Sequence, residues 1–152
     1  MARWARGETE IEQLIAAGHL ERVSGAQAGG TPLLNQARKT IATAAKLIPD
    51  DTYSAYVLSY DAGRFACVAL LAQQGLRATT NGGHYAVERA VRAQFGDGFR
   101  PFGALRRRRN ELEYPHMPSD TATADEAREA AETVERLISA AAALLPQTAF
   151  FT

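Results

Sequence analysis

The chain's 152 residues suit one globular domain, and a hydrophobic share of 46% is ordinary for a folded protein and too high for a disordered one. Seventeen basic residues balance 17 acidic ones, and zero formal charge argues against a general polyanion binder, which needs a large positive excess. One cysteine, Cys67, excludes an internal disulfide and a Cys-rich zinc site; in an apolar stretch it reads as a buried small hydrophobe in the reducing cytoplasm.

The first ten residues carry charge and lack the apolar core of a signal peptide, and no run of about eighteen apolar residues follows. No membrane association is therefore expected. Apolar residues recur at helical spacing almost throughout, and no stretch alternates with period two. A helix is predicted over 8–23, with Ile11, Leu14 and Ile15 on one side and Gly18 breaking it before Leu20 and Val23. Residues 24–30 form a Gly/Ala/Ser linker. Thr31-Pro32 then opens a helix to Ile48, because proline in the first turn forfeits no amide bond. Leu34, Ala37, Ile41, Ala44, Ala45 and Ile48 share its apolar face.

Asp50-Asp51-Thr52 caps a helix over 52–75 that is apolar on most sides, which makes it the central one. Gly75 closes it, and 78–83 is a turn. A helix over 84–95 points Val87, Val91 and Phe95 inward, and Gly96-Asp97-Gly98 turns into another over 101–113, ended by Pro115 and Pro118. The last helix, 123–145, starts at a capping box, Thr123 to Glu126, and buries Val134, Leu137, Ile138, Ala141 and Leu145. The expected fold is all-α: an antiparallel four- to five-helix up-and-down bundle over 31–146, an N-terminal helix and linker over 1–30, and a tail over 147–152.

Charge is unevenly placed. Arg106, Arg107, Arg108 and Arg109 are consecutive, whereas residues 120–135 hold six carboxylates and one arginine. A helix spreads four arginines around its circumference, so Arg106, Arg107 and Arg108 either pair with the acidic last helix or bind an RNA backbone. Arg109 falls between Leu105 and Leu112 on the inner face, and a charge there needs an anion, either a carboxylate such as Asp61 or a phosphate. His116 follows Arg109 by seven positions, which would share its side of the helix if the twist continued past Pro115. A histidine so placed exchanges protons near neutral pH. His84, after Gly82-Gly83, reads as a loop or capping residue, and His19 is isolated. Three histidines with no shared spacing offer no metal site, no Ser-His-Asp arrangement is visible, and no cofactor motif is present.

Two segments together resemble the HEPN superfamily (higher eukaryotes and prokaryotes nucleotide-binding). They are Tyr60-Asp61-Ala62-Gly63-Arg64-Phe65-Ala66 and the arginine run continuing into Asn110-Glu111-Leu112-Glu113-Tyr114-Pro115, with a glycine turn between them. The resemblance spans about residues 31–145. It implies a helical bundle that dimerises and, in active members, a metal-independent ribonuclease site of an arginine, a polar residue and a histidine. Carried over, these are Arg109, Asn110 and His116; Tyr114 stands at the nearer histidine position. Arg109 would stabilise the phosphate attacked by the RNA 2′-hydroxyl, and His116 would carry the proton. Arg64 and Asp61 would support phosphate binding. If Tyr114 replaces the histidine outright, its phenol is a poor base at neutral pH, and a non-catalytic module binding RNA, a nucleotide or a partner protein remains. The resemblance further implies a toxin–antitoxin or phage-defence setting, in which a nucleotidyltransferase-type antitoxin would modify Tyr114. A third possibility is a scaffold whose alanine-rich last helix pairs with its copy.

Overall fold

The computed structural model describes residues 3–152. In chain order these form α1 (Glu8–Ala16), β1 (Leu20–Arg22), α2 (Thr31–Leu47), α3 (Thr52–Gln73), β2 (Leu76–Ala78), α4 (Gly83–Phe95), α5 (Arg100–Glu113) and α6 (Ala124–Leu144). Single 3-10 turns occupy Gly25–Gln27, Gly96–Phe99 and Leu145–Gln147. The expected all-α bundle is thus present, with the short N-terminal helix beside it.

Local chemistry sets the helix limits. Pro32 lies in the first turn of α2. The Asp51 carboxylate accepts from the Ser54 amide at 3.0 Å and its hydroxyl at 2.6 Å, which holds that carboxyl below its usual range and starts α3. Thr123 and Glu126 close the capping box of α6. α3 is the axis of the bundle: α2, α4, α5 and α6 all pack on it, and Tyr60, Ala62, Ala66, Cys67, Ala69, Leu70 and Leu71 are fully buried. Each buried leucine contributes about 1.5–3 kcal/mol through removal from water. By length and hydropathy α3 alone among the described helices could cross a membrane, yet 67% of its apolar window is buried by its neighbours. Burial pushes the Cys67 thiol up, so it stays protonated and inert.

Two expectations need correction. The expected break at Gly18 is present, at φ +76°, but the helix stops at Ala16 and Leu20–Arg22 beyond the break form β1 rather than more helix. β1 then pairs antiparallel with β2 in the register Leu20↔Ala78, Glu21↔Arg77 and Arg22↔Leu76. Three residues per strand are too few to display alternation, so the ribbon was invisible in the sequence. The second correction is small: Ala45 is exposed, not part of the buried face of α2.

The first and last of the described residues lie on the bundle. Trp4 Nε1 donates to the Gln94 carbonyl at 2.9 Å, and Gly7 packs so tightly on α4 that a Cβ would meet the Ala93 oxygen at 2.5 Å. At the other end Phe151 is buried, its amide donating to the Gln74 carbonyl at 2.9 Å. The Arg3 guanidinium stacks 3.7 Å above the Phe151 ring.

Candidate functional site

The arginine run lies on α5, whose inward residues are Phe102, Leu105 and Leu112. Each guanidinium has a carboxylate partner, but only one comes from α6. Arg106 Nε donates to Glu88 Oε2 at 2.9 Å, and Arg107 approaches the other oxygen at 3.7 Å. Glu88 on α4 is buried, and Gly103 gives its carboxylate room: a Cβ there would sit 2.0 Å from Glu88 Oε1. Arg108 reaches across to Glu126 at 2.5 Å, with Glu111 at 3.1 Å and Asp120 at 3.3 Å, hydrogen bonds that raise its pKa further. The bland expectation of pairing with α6 therefore holds for Arg108, while Arg106 and Arg107 answer Glu88, which the sequence reading had not singled out.

Arg109 sits at the edge of the packed face, with its side chain 25% exposed, and bonds Glu113 one turn later. Its guanidinium lies 6.0 Å from the centre of the Tyr60 ring. Its Nε is sealed from solvent without any hydrogen-bond partner. A buried donor left unpaired costs about 1–3 kcal/mol, so such a group calls for an acceptor. Asp61 does not supply it; its nearest cation is Arg64 on its own helix, at 4.0 Å. Arg64 stacks on Phe65 at 4.7 Å and likewise carries a buried, unpartnered Nε.

The histidine brought to these arginines is His84, at the start of α4. The Tyr60 hydroxyl and His84 Nδ1 lie 2.8 Å apart, and Tyr60 also stacks on Phe102 at 5.4 Å. Burial keeps the Tyr60 phenol protonated well above neutral pH. Partial burial lowers the pKa of His84, and the positive charges of Arg64, Arg109 and Arg106 lower it further against the opposing pull of Asp61. A neutral imidazole that accepts the phenol proton at Nδ1 keeps its own proton on Nε2 and presents a donor there.

Asn110, Tyr114 and His116 are placed differently. All three are exposed, Tyr114 at 74%. α5 ends at Glu113 and Tyr114 leaves helical geometry at φ −125°, ψ 66°, so helical twist does not carry His116 back toward Arg109. No hydrogen bond of the described side chains involves His116. Among the described residues no three His, Cys, Asp or Glu side chains are grouped to hold a metal. The structure thus brings together Tyr60, Asp61, Arg64, His84, Arg106 and Arg109. His84 was missed because its role depends on α4 crossing α3, and the available hint was indirect: Tyr60 and Arg64 share a face of α3 and need polar neighbours.

No family model, curated protein or solved structure matches this chain.

Proposed function

We propose that this chain is a HEPN-like module that acts on RNA, cleaving its backbone without a metal or cofactor. In this reading it is the cytoplasmic effector of a toxin–antitoxin or phage-defence system and works as a homodimer. The observation that carries the reading is the Arg109 guanidinium, held beside Tyr60 at the α3–α5 seam with a buried Nε that lacks an acceptor. The non-bridging oxygens of a phosphate would accept from the partly exposed terminal NH groups of this guanidinium, whose planar fork binds phosphate in a paired fashion. Arg109 would bear the charge that builds as the RNA 2′-hydroxyl attacks its neighbouring phosphorus and the 5′-oxygen leaves. Such stabilisation is typically worth about 10²–10³ in rate. Arg64, Arg106 and Arg107 would position the strand, with Asn110 beside them. His116 would move the proton, the role the resemblance implies for it.

A second reading has its own support. His116 is exposed and unbonded, and Glu113 already engages Arg109. A chain built so would hold RNA, a nucleotide or a partner protein without cleaving. Tyr114, being exposed, is open to a modifying nucleotidyltransferase in either case.

One experiment decides between them. Purified protein is incubated with labelled RNA in EDTA, beside Arg109→Ala and His116→Ala. Cleavage by wild type that both variants lose supports the nuclease. Binding without cleavage, weakened by Arg109→Ala, supports the second reading. Neither cleavage nor binding removes the nuclease and, with it, RNA as what the second reading holds.

A further inference from the structure

We propose that the cavity walled by Arg64, Arg77 and His84, between α3, β2 and α4, binds the phosphoryl group of a phosphate monoester. It encloses about 310 Å³. Its charge sets it apart from the other three cavities described. The α5–α6 groove holds Asp97, Glu126 and Glu129 among its walls. The cavity beside α1 holds Glu10, Glu88 and Asp97, and the shallow one on α6 holds Glu132 and Glu135. Only the Arg64 cavity among these presents cationic side chains with no carboxylate in its lining.

The two arginines are not equivalent. Arg77 is already held by Glu21, at 2.5 and 2.8 Å, and by Gln27 at 3.3 Å, so it forms a fixed wall with part of its charge met. Arg64 has only the distant Asp61 carboxylate at 4.0 Å, and its buried Nε donates to nothing. No hydrogen bond among the described side chains engages the rest of its partly exposed guanidinium, so its terminal NH groups are available to an oxyanion in the cavity.

Further donors face the same space. Thr80 adds an exposed hydroxyl. No side chain caps the start of α4, and the amide of His84 has no backbone acceptor among the described residues. Gly83 (φ +56°) leaves that helix start open, since a Cβ there would meet nothing within 4 Å. Tyr60 holds Nδ1 of His84, so the ring is oriented before any ligand arrives. Several donors around one cationic side chain suit a tetrahedral oxyanion better than a planar carboxylate. Val68 and Val87 supply the apolar part of the lining, against which the body of a monoester rather than a second charged phosphate would rest.

The test uses the full-length protein, with inorganic phosphate, AMP and adenosine titrated separately while the His84 ring and Gly83 amide are followed by NMR. Phosphate and AMP should shift both signals saturably, and adenosine should not. Phosphate as effective as AMP identifies the free ion as sufficient; tighter AMP identifies a nucleotide ligand. Arg64→Gln should weaken binding about tenfold or more, and Arg136→Gln, on α6 outside the cavity, should leave it unchanged. His84→Asn provides the same test should Arg64→Gln fail to fold. No saturable shift at millimolar ligand, adenosine binding as well as AMP, or unaltered affinity in both variants overturns the proposal. Binding of AMP would give the second reading above its nucleotide; no RNA is cleaved in this titration, so its failure is distinguishable from failure of the nuclease reading in the EDTA assay.

Discussion

The two flanks of α3 are built from different chemistry. Toward α2 and α6 the contacts are small and dry: Gly63 lies against Val134 and Leu137, and Gly30 against the Ala69 carbonyl. Toward α4 and α5 the same helix presents Tyr60, Asp61 and Arg64 to His84, Arg106 and Arg109. The first flank is close-packed and tolerates little change in volume. The second leaves the Nε donors of Arg64 and Arg109 unpaired and a cavity open, features that contribute nothing to stability. The difference separates the half that holds the fold from the half equipped to meet an anion.

Substitutions should divide along that line. The largest loss is expected on the dry flank, where Leu70→Ala should cost about 2–5 kcal/mol by leaving a cavity beside the bundle axis. Gly30→Ala follows, at about 1–3 kcal/mol or more, since its Cβ would lie 2.3 Å from a backbone oxygen that cannot step aside. Both are read from denaturant midpoints at unchanged slope, and near-neutral values would mean that α2 and α3 are not packed as described.

On the polar flank the effects should be smaller and carry a signature besides stability. Gly103→Ala displaces the Glu88 carboxylate and weakens its hold on Arg106, for a loss of about 1–2 kcal/mol in a denaturation series. Tyr60→Phe removes one hydroxyl, costs about 1 kcal/mol, and frees the His84 ring, which NMR would register as a changed tautomer. His84 itself gives a pH test. Its pKa in the fold lies below the ordinary 6.5, so the unfolded chain binds protons more readily. Stability should therefore fall as pH drops below about 6.5 and level off once the folded form is protonated too; His84→Asn should remove that contribution. The smallest effect belongs to Arg128→Ala, whose exposed pair with Asp125 should change stability by less than about 0.5 kcal/mol.

The amino-acid sequence by itself determined where the bundle's long helices begin and end, since Pro32, Asp51, Gly75 and the Thr123–Glu126 box act on their own neighbours. It also placed Arg109 at the edge of a buried face, because the spacing of Leu105 and Leu112 needs no information from elsewhere in the chain. Only the tertiary structure decided which groups meet. A two-strand ribbon joining residues 20–22 to 76–78, a Glu88 carboxylate beneath Arg106, and a His84 ring against Tyr60 all depend on contacts between segments far apart in the chain. Helical periodicity reports which face of a segment turns inward, but it is silent about what waits on the other side.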